Sequence, residues 1–222
     1  GVVTDTQDMS GTVLSEVPEF QVAEEELRAV TESFAGDYMQ VPPMYSALKV
    51  NGKKLYELAR EGKTVERKPR PVHFYEIEIL DIDFPLVRFR VTCSKGTYIR
   101  TLCHDIGEKL GCGAAMETLL RTKVGRFTLD DAITLAQTEE AVRNGEIEQR
   151  ILGIEEILAE YPRVCCREEG DRLLANGNPL VQALVNAEEK DGWIRMCNSD
   201  GSFAGVYQWD EKRDRYFPVK MF

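Results

Sequence analysis

The period of apolar and polar positions changes along the chain, and each change marks out an element. Leu27, Val30 and Phe34 recur at helical spacing, Glu24, Glu25 and Glu26 fill the would-be first turn, and Gly36 stands just past the end. This predicts an amphipathic helix whose acidic start suits its dipole. From Pro71 the period shortens to two. Tyr75, Ile77 and Ile79 alternate with Glu76 and Glu78, then the phase flips to Leu80, Ile82 and Phe84. A flip of that kind predicts a strand with a bulge. Val87, Phe89, Val91 and Cys93 alternate with Arg88, Arg90 and Thr92 as a half-buried strand.

Ser94-Lys95-Gly96-Thr97 breaks that strand, and Ile99, Leu102, Cys103, Ile106 and Leu110 restore helical spacing up to Gly111. Residues 130–160 read as further helix with an acidic outer face. Beyond Tyr161-Pro162 come short apolar runs separated by turns, and Trp193–Cys197 with Ser202–Trp209 reads as a hairpin around Asp200-Gly201. The expected fold class is α+β: a mixed, largely antiparallel sheet flanked by helices over residues 1–161, then a small all-β domain over 163–222.

Charge sharpens this picture. The 222 residues carry a net charge of −10, which argues against a nucleic-acid partner only if it is evenly spread. It is not. Residues 1–40 hold nine acids and one base, whereas residues 49–70 hold eight bases and three acids. An acidic body with a basic stretch remains compatible with a polyanionic ligand. Six cysteines without a CxxC pair, and two histidines, assemble no metal site and read as reduced thiols. No apolar run reaches the roughly 18–20 residues of a membrane span. Nothing near Gly1 resembles a basic-then-apolar signal, so a cytoplasmic location without membrane contact is expected.

Two stretches could carry chemistry. Ser94 through Arg100 lies where a strand gives way to a helix, so backbone N–H groups and the positive dipole end suit a phosphate or carboxylate. Gly96 permits close approach, Thr97 can cap the helix, and Tyr98 and Arg100 fall in its first turn. The alternative is an ordinary capped turn. The basic stretch 40–70 interleaves Tyr45 and Tyr56 with its cations, as RNA binders do with stacking aromatics. It reads equally as a solvated arm covering apolar surface. Gly111-Cys112-Gly113 follows a helix, which predicts a helix–helix turn and not a nucleotide loop. Thr4-Asp5-Thr6-Gln7-Asp8 lacks the Gly and distal Glu of a calcium loop and reads as a turn.

Longer stretches carry a resemblance: Gly1-Val2-Val3-Thr4-Asp5-Thr6-Gln7-Asp8, Val41-Pro42-Pro43-Met44-Tyr45-Ser46-Ala47-Leu48-Lys49 with Gly52 through Gly62, Cys93 through Arg100, and Asp105 through Ala114. In this order they resemble the bacterial tRNA pseudouridine synthase B (TruB) family over nearly the whole chain. The resemblance implies a partial pseudouridine synthase fold with an RNA-binding thumb at about 40–70 and a β-barrel-like PUA-type RNA-binding domain at 163–222. It implies isomerisation of the T-loop uridine (position 55) of tRNA to pseudouridine, without cofactor or metal. It further implies the tRNA T arm as partner, no protein partner, and a monomer.

By the same resemblance Tyr98 and Arg100 are catalytic. Tyr98 would stack on the flipped base and is a candidate for proton abstraction, although a free tyrosine titrates near ~10 and would need help from its surroundings. Arg100 would pair with the catalytic aspartate. Leu119 would line the uracil pocket, and Asp8, Tyr45, Lys49, Lys53, Lys54, Tyr56, Arg60, Lys95 and Arg121 would contact substrate. The family's nucleophile lies in a Gly-Thr-Leu-Asp-Pro motif N-terminal to these stretches. That motif is absent from the chain, Asp5 and Asp8 belong to a different one, and the chain alone is therefore expected to be inactive. Leu120 stands where relatives carry Arg. A non-catalytic RNA-binding or tRNA-chaperone module is the competing reading.

Overall fold

Strand β1 (Val2–Thr4) pairs antiparallel with β2 (Val13–Glu16), and helix α1 (Glu24–Glu32) leads into β3 (Gly36–Gln40). A tight hairpin follows, β4 (Lys49–Val50) against β5 (Lys53–Lys54), then α2 (Leu55–Arg60), the long β6 (Arg70–Asp83), β7 (Leu86–Cys93), α3 (Ile99–Lys109) and β8 (Lys123–Val124). Asn51 and Gly52 both have positive φ, as a two-residue hairpin turn requires. The computed structural model describes residues 1–186 and 189–222 and divides into two units, residues 1–125 and 126–222.

The first unit is built on the antiparallel sheet β3-β6-β7, with β7 an edge strand. One face of that sheet packs on the two longer helices through Leu27, Phe34, Val72, Phe74, Leu102 and Ile106. The alternation along β7 holds: Val87, Phe89, Val91 and Cys93 are half-buried, and Leu86, Arg88, Arg90 and Thr92 are exposed. The expected bulge falls between Ile79 and Asp81, where Leu80 drops out of register and is exposed. A second irregularity lies between Phe74 and Glu76. It turns Tyr75 outward, to 64% exposure, contrary to the reading of Tyr75 as part of the inner face. Phe84 is likewise exposed, so of the flipped set only Ile82 faces inward.

A polar tie joins sheet to helix. Tyr38 Oη donates to Asp105 Oδ2 at 2.9 Å. Burial, then the acceptor carboxylate, pushes the Tyr38 phenol up to about 12. Burial also raises the Asp105 carboxyl, with the Tyr38 hydrogen bond opposing it.

The second unit begins with β9 (Phe127–Thr128) and continues through α4 (Leu135–Asn144), a 3-10 turn at Ile147–Arg150 and α5 (Ile154–Ile157). Residues 130–160 are thus helical in pieces. After β10 (Arg163–Cys165) comes α6 (Glu168–Ala175), a helix inside the stretch expected to be all β. Strands β11 (Leu180–Val181), β12 (Trp193–Cys197), β13 (Phe203–Asp210) and β14 (Arg215–Met221) complete a five-stranded sheet in the order β10-β12-β13-β14-β11. The β12–β13 hairpin is the one expected. The core of the unit includes Val164, Cys166, Leu174, Leu180, Ile194, Met196, Tyr207 and Tyr216. The architecture is α+β with mainly antiparallel pairing. Among the described residues no helix is long and apolar enough to cross a membrane.

Candidate active site

The strand-to-helix junction after β7 is shaped by its turn. Ser94 Oγ accepts from His73 N–H at 3.0 Å, and Thr97 Oγ1 donates to the Ser94 carbonyl at 2.8 Å. Gly96, at φ +83, closes the turn in a region that favours glycine. Tyr98, not Thr97, occupies the N-cap position, and no side chain caps the helix. A residue unmarked in the sequence holds it there instead. Gln40, 1% exposed at the end of β3, spans Tyr98 with both amide atoms. Its Oε1 accepts from Tyr98 N–H at 2.9 Å, and its Nε2 donates to the Tyr98 carbonyl at 3.0 Å.

This clamp sets Tyr98 in the wall of a cavity of about 280 Å³. Pro42, Leu48, Pro71 and Val72 supply apolar lining, and Lys95 and Arg70 supply cations. Apolar lining beside two cations suits a planar uncharged ring attached to an anionic backbone.

Arg100, two residues on, engages the amino-terminal segment. Its NH1 donates to Asp8 Oδ2 at 3.0 Å, with the side chains 22% and 17% exposed, and its NH2 donates to the Tyr45 carbonyl. Asp8 Oδ1 accepts from Thr6 Oγ1, the Ser10 amide and Ser10 Oγ. Burial alone would raise the Asp8 carboxyl, but the bonds from Ser10, Thr6 and Arg100 outweigh it and hold it below the usual carboxylate value. Both oxygens are therefore engaged, which suits a positioning carboxylate. Tyr45 Oη donates to Asp5 Oδ2 at 3.2 Å; burial and then Asp5 raise this phenol, with Arg60 opposing.

The same segment is anchored from the far end of α3. The expected helix–helix turn at Gly111–Gly113 instead opens into extended chain, where Met116 bridges Asp8. Met116 N–H donates to the Gln7 carbonyl and Met9 N–H to the Met116 carbonyl, both at 3.0 Å. A Cβ on Gly107 would lie 2.1 Å from the Ala114 amide nitrogen, so this return path needs glycine. Gln7, at φ +64, accepts from Thr101 Oγ1 at 2.7 Å. Gln7 and Gln40 are the two side chains that sequence reasoning missed, and neither has a local pattern to reveal it.

The basic arm presents Lys49, Lys53 and Lys54 on the β4–β5 hairpin and Tyr56 and Arg60 on α2. Lys54 Nζ lies 5.3 Å and Arg60 Cζ 5.4 Å from the centre of the Tyr56 ring, so one aromatic carries two cations. The Tyr56 hydroxyl, 3.2 Å from Lys54 Nζ, raises that ammonium. Lys53 and Lys63 both pair with Glu61, which offsets part of the charge counted in the sequence. Leu119 and Arg121 sit on exposed chain outside any helix or strand and are not among the residues lining the Tyr98 cavity, whereas Lys95 is. Among the described residues no cluster of His, Cys, Asp and Glu could hold a metal ion.

Comparison with known proteins places these features in a family. Residues 1–99 match the model "TruB family pseudouridylate synthase (N terminal domain)", and residues 100–159 match "tRNA pseudouridylate synthase B C-terminal domain". The chain is 50% identical over 207 residues to a tRNA pseudouridine synthase B of Clostridium novyi, covering 93% of this chain and 70% of that protein. It is 47% identical over 205 residues to that of Lachnoclostridium phytofermentans, covering 86% and 66%. The chain thus spans about two thirds of the length of these relatives. A solved Cbf5–Nop10–Gar1 complex (TM-score 0.64, 23% identity, 91% of this chain and 62% of that one) and an H/ACA RNP bound to a substrate RNA containing 2'-deoxyuridine (TM-score 0.63, 21% identity, 91% and 62%) share the fold. On the family models and these curated relatives together, the chain belongs to the TruB family of pseudouridylate synthases.

Proposed function

We propose that this chain carries the RNA-gripping and base-holding parts of a tRNA pseudouridine synthase acting on the T-loop uridine of tRNA. The observation that carries the reading is the Gln40 clamp, which fixes Tyr98 in the wall of a cavity with apolar and cationic lining. The relatives' name, tRNA pseudouridine synthase B, supplies the substrate class. In this reading Tyr98 stacks on the extruded base, Lys95 and Arg70 meet flanking phosphates, and the arm with Lys49, Lys53, Lys54, Tyr56 and Arg60 grips the T arm. Leu119 and Arg121 join the site from their exposed segment once RNA is bound. Residues 163–222 act as a PUA-like RNA-binding domain, and the protein works as a cytoplasmic monomer.

The reaction breaks the N1–C1′ bond of uridine and forms a C5–C1′ bond; C5 loses its hydrogen as a proton and N1 takes one up, so the isomerisation needs no redox partner. Asp8, with both oxygens engaged, positions Arg100 and does not serve as the nucleophile. Tritium release from tRNA labelled at uridine C5 tests the reading. This polypeptide alone should bind the tRNA and release no tritium above background. Turnover would overturn the claim of inactivity, and failure to bind tRNA at low salt would overturn the assignment of the RNA site. Tyr98→Phe should leave the chain's affinity for tRNA nearly intact, because phenylalanine still offers a ring for the base to stack on.

A further inference from the structure

Away from that site, the second unit holds Cys165, Cys166 and Cys197, all as free thiols. Strands β10 and β12 run parallel, and Cys165 is the register partner of Cys197. Register partners project to the same face, and neighbouring strands lie about 4.8 Å apart. That spacing is inside the roughly 4.4–6.8 Å Cα separation over which a disulfide closes. Cys165 lies near enough to Cys197 to help raise its thiol, after burial. Cys166, on the alternate face, is fully buried and donates to Asp171 Oδ1 at 3.1 Å.

The surroundings of the pair are asymmetric. Cys165 is half-buried, and Arg163 NH1 donates to its sulfur at 3.6 Å, so negative charge developing there meets a cation. Glu155 Oε1 holds that guanidinium by its Nε at 2.7 Å and lies 4.0 Å from Cys197 Sγ. Cys197 is fully buried, and burial is the main reason its thiol is pushed up to about 11.

We propose that Cys165 and Cys197 form an oxidant-responsive dithiol pair, in which Cys165 reacts first with a peroxide and Cys197 resolves the product into a disulfide. The Cys165 sulfur attacks one peroxide oxygen, the O–O bond breaks, and the departing oxygen takes the Cys165 proton and leaves as water. The Cys197 sulfur then attacks the sulfenic sulfur and the S–O bond breaks. The departing hydroxide leaves as water with the Cys197 proton, which passes by way of Glu155 Oε1. Two thiols lose two electrons in total and one peroxide is reduced to two waters. The bridge ties the three-residue edge strand β10 covalently to β12 and closes the chain between residues 165 and 197.

Treating this chain with hydrogen peroxide without denaturant, capping remaining thiols with N-ethylmaleimide and mapping peptides tests the pair. The expected product is a Cys165–Cys197 cross-link two hydrogens lighter than the separate peptides, reversed by dithiothreitol, with Cys166 capped. Cys165→Ser should abolish the cross-link and Cys166→Ser should retain it. A Cys165–Cys166 link, a sulfinate on Cys165 with Cys197 still capped, or full capping of both would each overturn the proposal. Mapping the unsubstituted chain decides the matter even if a variant fails to fold.

Discussion

Single residues 58 and 92 positions away organise the cavity and its neighbour Arg100. Gln40 is the clearest case, since one buried amide satisfies both backbone groups of Tyr98. Gln40→Leu keeps most of the volume but leaves that donor and acceptor unpaired, which should cost about 2 kcal/mol. Urea unfolding should show a lower midpoint with an unchanged slope, and the Tyr98 amide should exchange faster. The Asp8–Arg100 pair is a second such tie. Asp8→Asn should destabilise the chain by about 2 kcal/mol at neutral pH, between the cost for exposed and for fully buried pairs. Because the folded-state value of Asp8 lies below the ordinary 3.8, its contribution is present above that pH and lost as pH falls further. The stability gap between wild type and Asp8→Asn should therefore shrink in urea titrations below about pH 4. Neither tie has a sequence signature, because hydrogen bonds at that separation leave no periodicity behind.

Among elements, legibility followed the strength of the repeat. Helices α1 and α3 and strand β7 announced themselves because their buried positions recur without interruption. The bulge at Leu80 was readable because it flipped the phase of an apolar set. The irregularity before Glu76 was not, because the exposed Tyr75 continued the apolar alternation. Helix α6 was missed for a related reason: its eight residues include Gly170 and bury only Gly170 and Leu174, too little for a helical stripe. The tie between β3 and α3 through Tyr38 and Asp105 yields an alkaline prediction. The Tyr38 phenol is raised from 10.0 to about 12, so between those values the unfolded chain releases a proton that the folded chain retains. Stability is present below pH 10 and declines from there toward 12. Tyr38→Phe should flatten that decline in thermal melts recorded across this range.

For the whole molecule, a net charge of −10 conceals an arm whose cations sit on one hairpin and one helix turn. If that arm grips tRNA, affinity should fall steeply with salt, and Lys49→Ala or Lys53→Ala should each reduce the slope of log K against log salt by up to about 1. Filter binding between 50 and 200 mM salt measures it. The edge strand β7 has a different consequence, one of solubility. Its outer backbone groups form an open ladder end on which a second molecule's strand could add. Arg88 and Arg90 stand opposite Asp81 and Glu78 across the β6–β7 pair, and Arg90 bonds Glu78 at 2.8 Å. A stacked neighbour would have to align like charges or bury these pairs, so the arginines act as gatekeepers against assembly. Replacing both by valine should turn the strand into a nucleus for fibrils, read as thioflavin fluorescence rising with protein concentration, while the wild-type chain stays clear.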